Sequence, residues 1–261
     1  IVPYIPDGIG NSTDRQRIPA VLIIPGGAFR RLVYNFEGED VAKWLNSMGI
    51  AAFVLECRLP SDEHDNAEDV PLIDAMRAMR VIRGRAQEFG IDEAKIGVMG
   101  FSAGGFMAAL LSTAYESDVY ADYKYKDEYD KLSARPDFAV CSYPVISIDD
   151  CIEAGKRYMS EEQVLERISD GKAKILHKYN PDKLVRPDMP PVFICETDDD
   201  RTTLSENSVG FYMAARKAGV SAELHIFRTG GHGYGCGDDF AQTGEWKVLF
   251  TKWIKSIGII S

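Results

Sequence analysis

The stretch that most constrains this chain is residues 96–105, Ile-Gly-Val-Met-Gly-Phe-Ser-Ala-Gly-Gly. A short apolar run, Ile96 to Met99, meets Gly100-Phe-Ser102-Ala-Gly104, and a helix-forming segment, Phe106 to Leu111, follows. Strand, sharp turn, helix is the context in which Gly-x-Ser-x-Gly forms a nucleophile elbow. The turn strains the serine backbone and lifts its hydroxyl above the sheet edge. The flanking glycines let strand and helix approach closely. The positive end of the helix dipole faces the serine, where negative charge develops during acyl transfer. Taken alone, the five-residue pattern is equally a Gly-rich turn holding a serine by chance. The rest of the chain must therefore supply a base, an acid and an oxyanion hole.

The surrounding pattern supplies a scaffold. Short apolar runs at 20–24, 50–55, 136–141, 191–195 and 222–227 alternate with helical spacing at 41–48, 70–89, 206–218 and 245–257. Such alternation predicts a mostly parallel sheet with helices on both faces, an α/β fold. At 261 residues and 45% apolar content the chain fits one domain spanning 1–261. Residues 1–17 read as a polar entry arm. Residues 114–135, crowded with Tyr, Lys and Asp, and 148–186, with helical segments at 161–168 and 172–179, read as insertions near the site.

Composition removes several function classes. A net charge of −10 argues against a nucleic-acid partner. No run of eighteen apolar residues spans a membrane. The five cysteines, 57, 141, 151, 195 and 236, lack metal-like spacing, and their odd number argues against a full disulfide framework. The sequence shows no signal peptide and begins at Ile1, so a soluble protein is expected and the compartment, cytoplasmic or secreted, stays open; so does homo-oligomer formation.

A serine hydroxyl needs a base to take its proton. Of the four histidines, His232 sits in Gly230-Gly-His-Gly-Tyr-Gly235 directly after a predicted strand, where catalytic groups collect in an α/β sheet. His225 lies inside that strand, His64 in an acidic loop and His177 beside Lys178. The base needs an orienting carboxylate, and Asp198, Asp199 and Asp200 follow another strand end, one of them pointing inward. The order Ser102, Asp, His232 is that of α/β-hydrolases. Oxyanion donors are expected from the N–H of Ala103, after the nucleophile, and from Pro25-Gly-Gly-Ala28 at the end of an early strand.

These residues resemble those of α/β-hydrolase serine esterases, and more narrowly of carbohydrate acetyl esterases and acetyl-xylan-esterase-like lipases/esterases. The resemblance rests on Ile24-Pro-Gly-Gly-Ala28, 46–54, 95–105, Ser142-Tyr-Pro-Val-Ile146 and Gly230–Gly235, and runs from about Ile18 onward. It implies a single-domain α/β-hydrolase fold and a triad of Ser102, Asp200 and His232. Asp200 stands eight residues before the serine of Glu206-Asn-Ser208, with Asp199 as the reserve. Gly27, Ala28 and Ala103 are the implied oxyanion donors. It implies a carbohydrate or small-molecule ester as substrate, with acetyl on xylan or xylo-oligosaccharides foremost, and neither metal nor organic cofactor. Sugar-stacking aromatics are expected among Tyr34, Phe36, Tyr143 and Tyr234.

The sequence departs from the pattern at three places. Arg201-Thr-Thr-Leu204 replaces the usual Val-Pro after the acid, Ala28 stands where glycine is common, and 115–131 has no counterpart. The competing readings are a prolyl-oligopeptidase-like serine peptidase and a non-catalytic binding protein of the same fold. Against the first, 261 residues leave no room for a propeller-sized partner domain.

Overall fold

The structure, a computed structural model, describes residues 1–8, 17–60, 65–121, 126–157, 159, 160, 162, 163, 174–237 and 242–261. Seven strands form one sheet: β1 (Val2–Tyr4), β2 (Ile18–Ile24), β3 (Ala51–Val54), β4 (Ile91–Phe101), β5 (Ala139–Ser142), β6 (Val192–Thr197) and β7 (Ala222–Phe227). Their spatial order is β1-β3-β2-β4-β5-β6-β7. All pairs are parallel except β1 with β3.

The alternating pleat sends successive residues to opposite faces, and each face builds its own core. Leu22, Phe53 and Val98 join one apolar cluster with α2 (Val70–Gly84), α4 (Ala103–Ala114) and α7 (Ser205–Lys217). Ile23, Val54 and Met99 join the other with α1 (Asp40–Ser47) and α8 (Glu245–Ser256). Strands covered on both sides read as unbroken apolar runs, and from Pro19 to Ile24 every residue of β2 is buried.

Three expectations change. The entry arm contains a strand, because Val2–Tyr4 pairs antiparallel with Val54–Ala52 at the sheet edge. The helix expected over 70–89 breaks after Gly84, and α3 (Ala86–Phe89) follows. A Cβ on Gly84 would lie 2.3 Å from the Tyr129 ring, so this glycine seats a side chain of the 114–135 insertion. The described part of that insertion packs on α2 rather than over the nucleophile, since α4 carries the chain about 18 Å from its start before the insertion begins. In the second insertion α5 (Ile148–Lys156) and α6 (Lys174–Lys178) are described. Most of the helix expected over 161–168 lies outside the described residues.

The topology fixes where a ligand can go. From β2 the chain turns to β3 on one side and to β4 on the other, so the strand order reverses between β2 and β4. Crevices in open α/β sheets form at the carboxyl ends of strands at such a reversal. Ile24 and Gly100 are in register there, with Pro25–Ala28 and Ser102 directly beyond them.

Candidate active site

Ser102 joins β4 to α4 with φ 53° and ψ −119°, a conformation that L-residues avoid. The close approach there is measurable: a Cβ on Gly104 would sit 1.9 Å from the carbonyl oxygen of Ile24. Backbone bonds hold the turn, with the Ser102 N–H donating to Ser142 O at 3.0 Å and Phe106 N–H donating to Ser102 O at 3.1 Å.

The histidine loop after β7 brings the base over this serine. Ser102 Oγ and His232 Nε2 are 2.9 Å apart, and His232 Nδ1 lies 2.7 Å from Asp200 Oδ2. Asp200 is 3% exposed. Its Oδ1 accepts the N–H groups of Thr202 at 2.7 Å and Thr203 at 2.9 Å, and the Thr203 hydroxyl donates to Oδ2 at 2.9 Å. Burial pushes this carboxyl up, but the His232 hydrogen bond and charge, with the two backbone donors, outweigh it and leave the group below the usual range. A carboxylate so held keeps the imidazole in the tautomer that offers Nε2 to the serine.

The neighbouring acids are separated by their partners. Asp199 accepts from the N–H groups of Gly230 at 2.9 Å and Gly231 at 2.8 Å, which anchors the histidine loop without touching the ring. Asp198 is exposed. His225 bonds Glu223 at 2.8 Å and His177 is exposed on α6; His64 lies outside the described residues.

Gly27 and Ala28 follow Ile24 at the end of β2, and Ala103 follows Gly100 at the end of β4, the two strand ends being in register. Gly27 has φ 127° and Ala28 φ 55°. Arg30 and Arg31 donate to Gly27 O at 3.1 and 3.3 Å, folding the loop back on itself. Among the described residues the N–H groups of Gly27, Ala28 and Ala103 have no hydrogen-bond partner in the chain. Of the candidate stacking aromatics, Tyr143 and Tyr234 are 0% and 1% exposed, so neither is open to a sugar. Phe36 is exposed, and its ring lies against Gly235 of the histidine loop.

Sequence reasoning missed Thr203, whose hydroxyl is the fourth donor on Asp200. Its signal was the departure from Val-Pro after the acid: a threonine there supplies a side-chain donor that valine and proline lack.

Comparison with known proteins places this arrangement. A family model described as BD-FAE matches residues 9–214. The chain belongs to the BD-FAE family. It is 31% identical over 240 residues to the acetylxylan esterase of Xylanibacter ruminicola, a match covering 91% of this chain and 45% of that protein. It is 31% identical over 227 residues to endo-1,4-beta-xylanase B of Butyrivibrio fibrisolvens, covering 87% of this chain and 34% of that one. The chain thus spans less than half the length of these curated relatives. Among solved structures it matches the acetyl ester-xyloside bifunctional hydrolase of Caldicellulosiruptor lactoaceticus with TM-score 0.79 and 38% identity, covering 100% of this chain and 88% of that one. The BD-FAE chain therefore has the α/β-hydrolase fold of these esterases.

Proposed function

We propose that this BD-FAE chain is a serine carboxylester hydrolase that removes short acyl groups, acetyl foremost, from a carbohydrate such as xylan. The observation that carries the reading is the unbroken relay from Ser102 Oγ through the His232 ring to Asp200 at 2.9 and 2.7 Å. Ser102 attacks the ester carbonyl while His232 takes its proton; His232 then returns that proton to the leaving alcohol. Water, deprotonated by the same imidazole, releases the acid from the acyl-enzyme. Asp200 orients the ring and stabilises the imidazolium. Gly27, Ala28 and Ala103 donate their N–H groups to the oxyanion.

The acetyl preference is supported by the relatives, an acetylxylan esterase and an acetyl ester-xyloside bifunctional hydrolase. Phe36, exposed beside the histidine loop, is the aromatic placed to stack on a sugar.

Hydrolysis of p-nitrophenyl acetate, butyrate and octanoate by wild type and Ser102→Ala tests the reading. Activity on acetate that falls with chain length and disappears in the variant is expected, followed by acetate release from acetylated xylan. An inert wild type, or an equally active variant, overturns it.

A further inference from the structure

A buried carboxylate outside the relay stands behind the oxyanion loop. Glu37 lies in a single π-helical turn, Asn35–Glu39, and is 4% exposed. Its Oε2 accepts the N–H of Gly26 at 2.7 Å, and its Oε1 accepts the hydroxyl of Tyr143 at 2.9 Å. The Tyr143 oxygen in turn accepts the N–H of Gly235 at 3.0 Å. Glu37 and Tyr143 thus join two loops that the sequence places far apart. Gly26 opens the segment carrying Gly27 and Ala28, and Gly235 closes the segment carrying His232.

The joint is built where the backbone is least able to hold itself. Gly27, Ala28 and Tyr143 have φ of 127°, 55° and 37°, conformations that persist only when their surroundings over-determine them. The Tyr143 ring is edge-on to His232, with centroids 5.0 Å apart and planes at 69°. A Cβ on Gly26 would meet Glu37 Oε2 at 2.8 Å and Ser102 Cβ at 2.9 Å, so Gly26 is held close to both Glu37 and the elbow. Stability alone is a poor reason for this group, because burying a carboxyl carries a desolvation cost that a packed apolar residue avoids. Burial accordingly pushes the Glu37 carboxyl above its ordinary range, against the lowering by Tyr143, Gly26 and the His232 charge.

We propose that Glu37, relayed by Tyr143, is the positioning residue of this site: it sets Gly26 so that the N–H groups of Gly27 and Ala28 face the oxyanion, and locks that loop to the one bearing His232. Glu37 touches neither substrate nor reacting atoms; it acts through the loops. The proposal rests on the esterase reading, since a pre-set oxyanion hole has value only for acyl transfer. Donors aimed at charge that develops in the transition state raise kcat and leave ground-state binding largely alone.

The test is kcat and KM for p-nitrophenyl acetate with wild type, Glu37→Gln, Tyr143→Phe and the double variant, alongside thermal unfolding. A carboxamide has one accepting end where Gly26 and Tyr143 require two, and Phe keeps the ring while deleting the hydroxyl. Each single variant is expected to lower kcat about 10- to 100-fold with KM within about 3-fold. The double variant is expected to fall no more than about 3-fold below the worse single, because both cut one linkage. Single-variant kcat within about 2-fold of wild type, losses that multiply in the double, or a change in KM alone would overturn the proposal. Should Glu37→Gln fail to fold, Tyr143→Phe decides by the same split of kcat against KM. An inert wild type breaks the esterase reading itself, whereas an active wild type with indifferent variants breaks only this inference.

Discussion

Two regions of the molecule use polar contacts in opposite ways. At the elbow, backbone meets backbone at close range: Cβ atoms on Gly100 and Gly104 would both lie 1.9 Å from a carbonyl oxygen. On the outer side of α2, long side chains do the joining. Arg77 donates to Asp127 at 2.8 Å and Asp130 at 3.1 Å, and Arg80 donates to Leu132 O at 3.0 Å while lying 4.0 Å over the Tyr120 ring. Arg83 reaches Arg135 O and Asp137, each at 3.0 Å. Rigid backbone packing fixes a nucleophile to within tenths of an ångström, and it fails if one atom is added. Flexible guanidinium groups follow whatever chain lies against them, so the Tyr/Lys/Asp-rich insertion is seated without being positioned for chemistry.

The same substitution in two places should give opposite signs. Gly104→Ala forces a methyl onto Ile24 O, and no side-chain rotation relieves a backbone clash. The expected outcome is loss of soluble, cooperative folding, or at best a melting temperature lowered by about 10 °C or more, as large core strain produces. Gly210→Ala meets nothing within 4 Å on an exposed stretch of α7. There alanine is worth about 0.5–1 kcal/mol in helix propensity, and the melting temperature should rise by about 1–4 °C. Calorimetry of both variants decides; a well-folded Gly104→Ala would refute the tight-elbow account.

The second contrast lies within the acid loop. Asp200→Asn presents a carboxamide to His232 Nδ1 and disfavours the tautomer that can take the Ser102 proton. In serine hydrolases such a change lowers kcat by about 10⁴, and a loss on the order of 10³–10⁴ is expected here. Asp199→Asn keeps an Oδ1 able to accept both Gly230 and Gly231 N–H groups, so kcat should stay within about 3-fold of wild type. Equal losses at the two positions would mean that the histidine loop, not the ring, carries the dependence on the acid.

Behind Asp200 lies Glu196, fully buried, its Oε1 accepting Thr197 N–H at 2.9 Å and its Oε2 accepting the Ser208 hydroxyl at 3.3 Å. Burial first, then the charge of Asp200, pushes its carboxyl well above the ordinary value. A raised carboxyl means that the folded state holds a proton the unfolded chain has released. The associated stability is complete below about pH 4.3 and is lost as pH rises through the folded-state value. Glu196→Gln has no such proton, so as pH rises from about 4.3 its stability curve should lose the downward slope of wild type, at most about 1.4 kcal/mol per pH unit. Denaturant unfolding of both proteins across that range measures it; parallel curves would show that Glu196 titrates like an exposed acid.

How much of this was legible in the sequence depends on whether a feature is local. The elbow, the loop after β2 and the histidine loop are short segments whose glycines and neighbours announce the turn. The α/β alternation is likewise local periodicity read many times over. Glu37 carries no such signal, because its role comes from Gly26, Tyr143 and Gly235 meeting it in space. Tyr143, one of four candidate sugar platforms, is buried by its contacts with His232, Tyr234 and Phe101. The strand Val2–Tyr4 escaped notice because an edge strand of three residues with a proline at its centre has too few positions to show a period. The row Arg77, Arg80, Arg83 is visible at three-residue steps, but its partners are some 50 residues on, and only the fold pairs them.

That row sharpens the opening contrast through its weakest expected effect. Arg77→Ala removes the bonds to Asp127 and Asp130 and a guanidinium 5.8 Å from the centre of the Tyr129 ring. The arginine side chain is 21% exposed and that of Asp127 38%, so solvent screens the pair and about 1 kcal/mol is the scale of the loss. A fall of about 2–4 °C in melting temperature is expected at low salt. It should shrink in 1 M NaCl, where the screening length is about 3 Å. Turnover of p-nitrophenyl acetate should be unchanged, because the described part of the insertion packs on α2. A fall in kcat with Arg77→Ala would mean that the insertion reaches the site through α2 and α4, and that the two regions are energetically one.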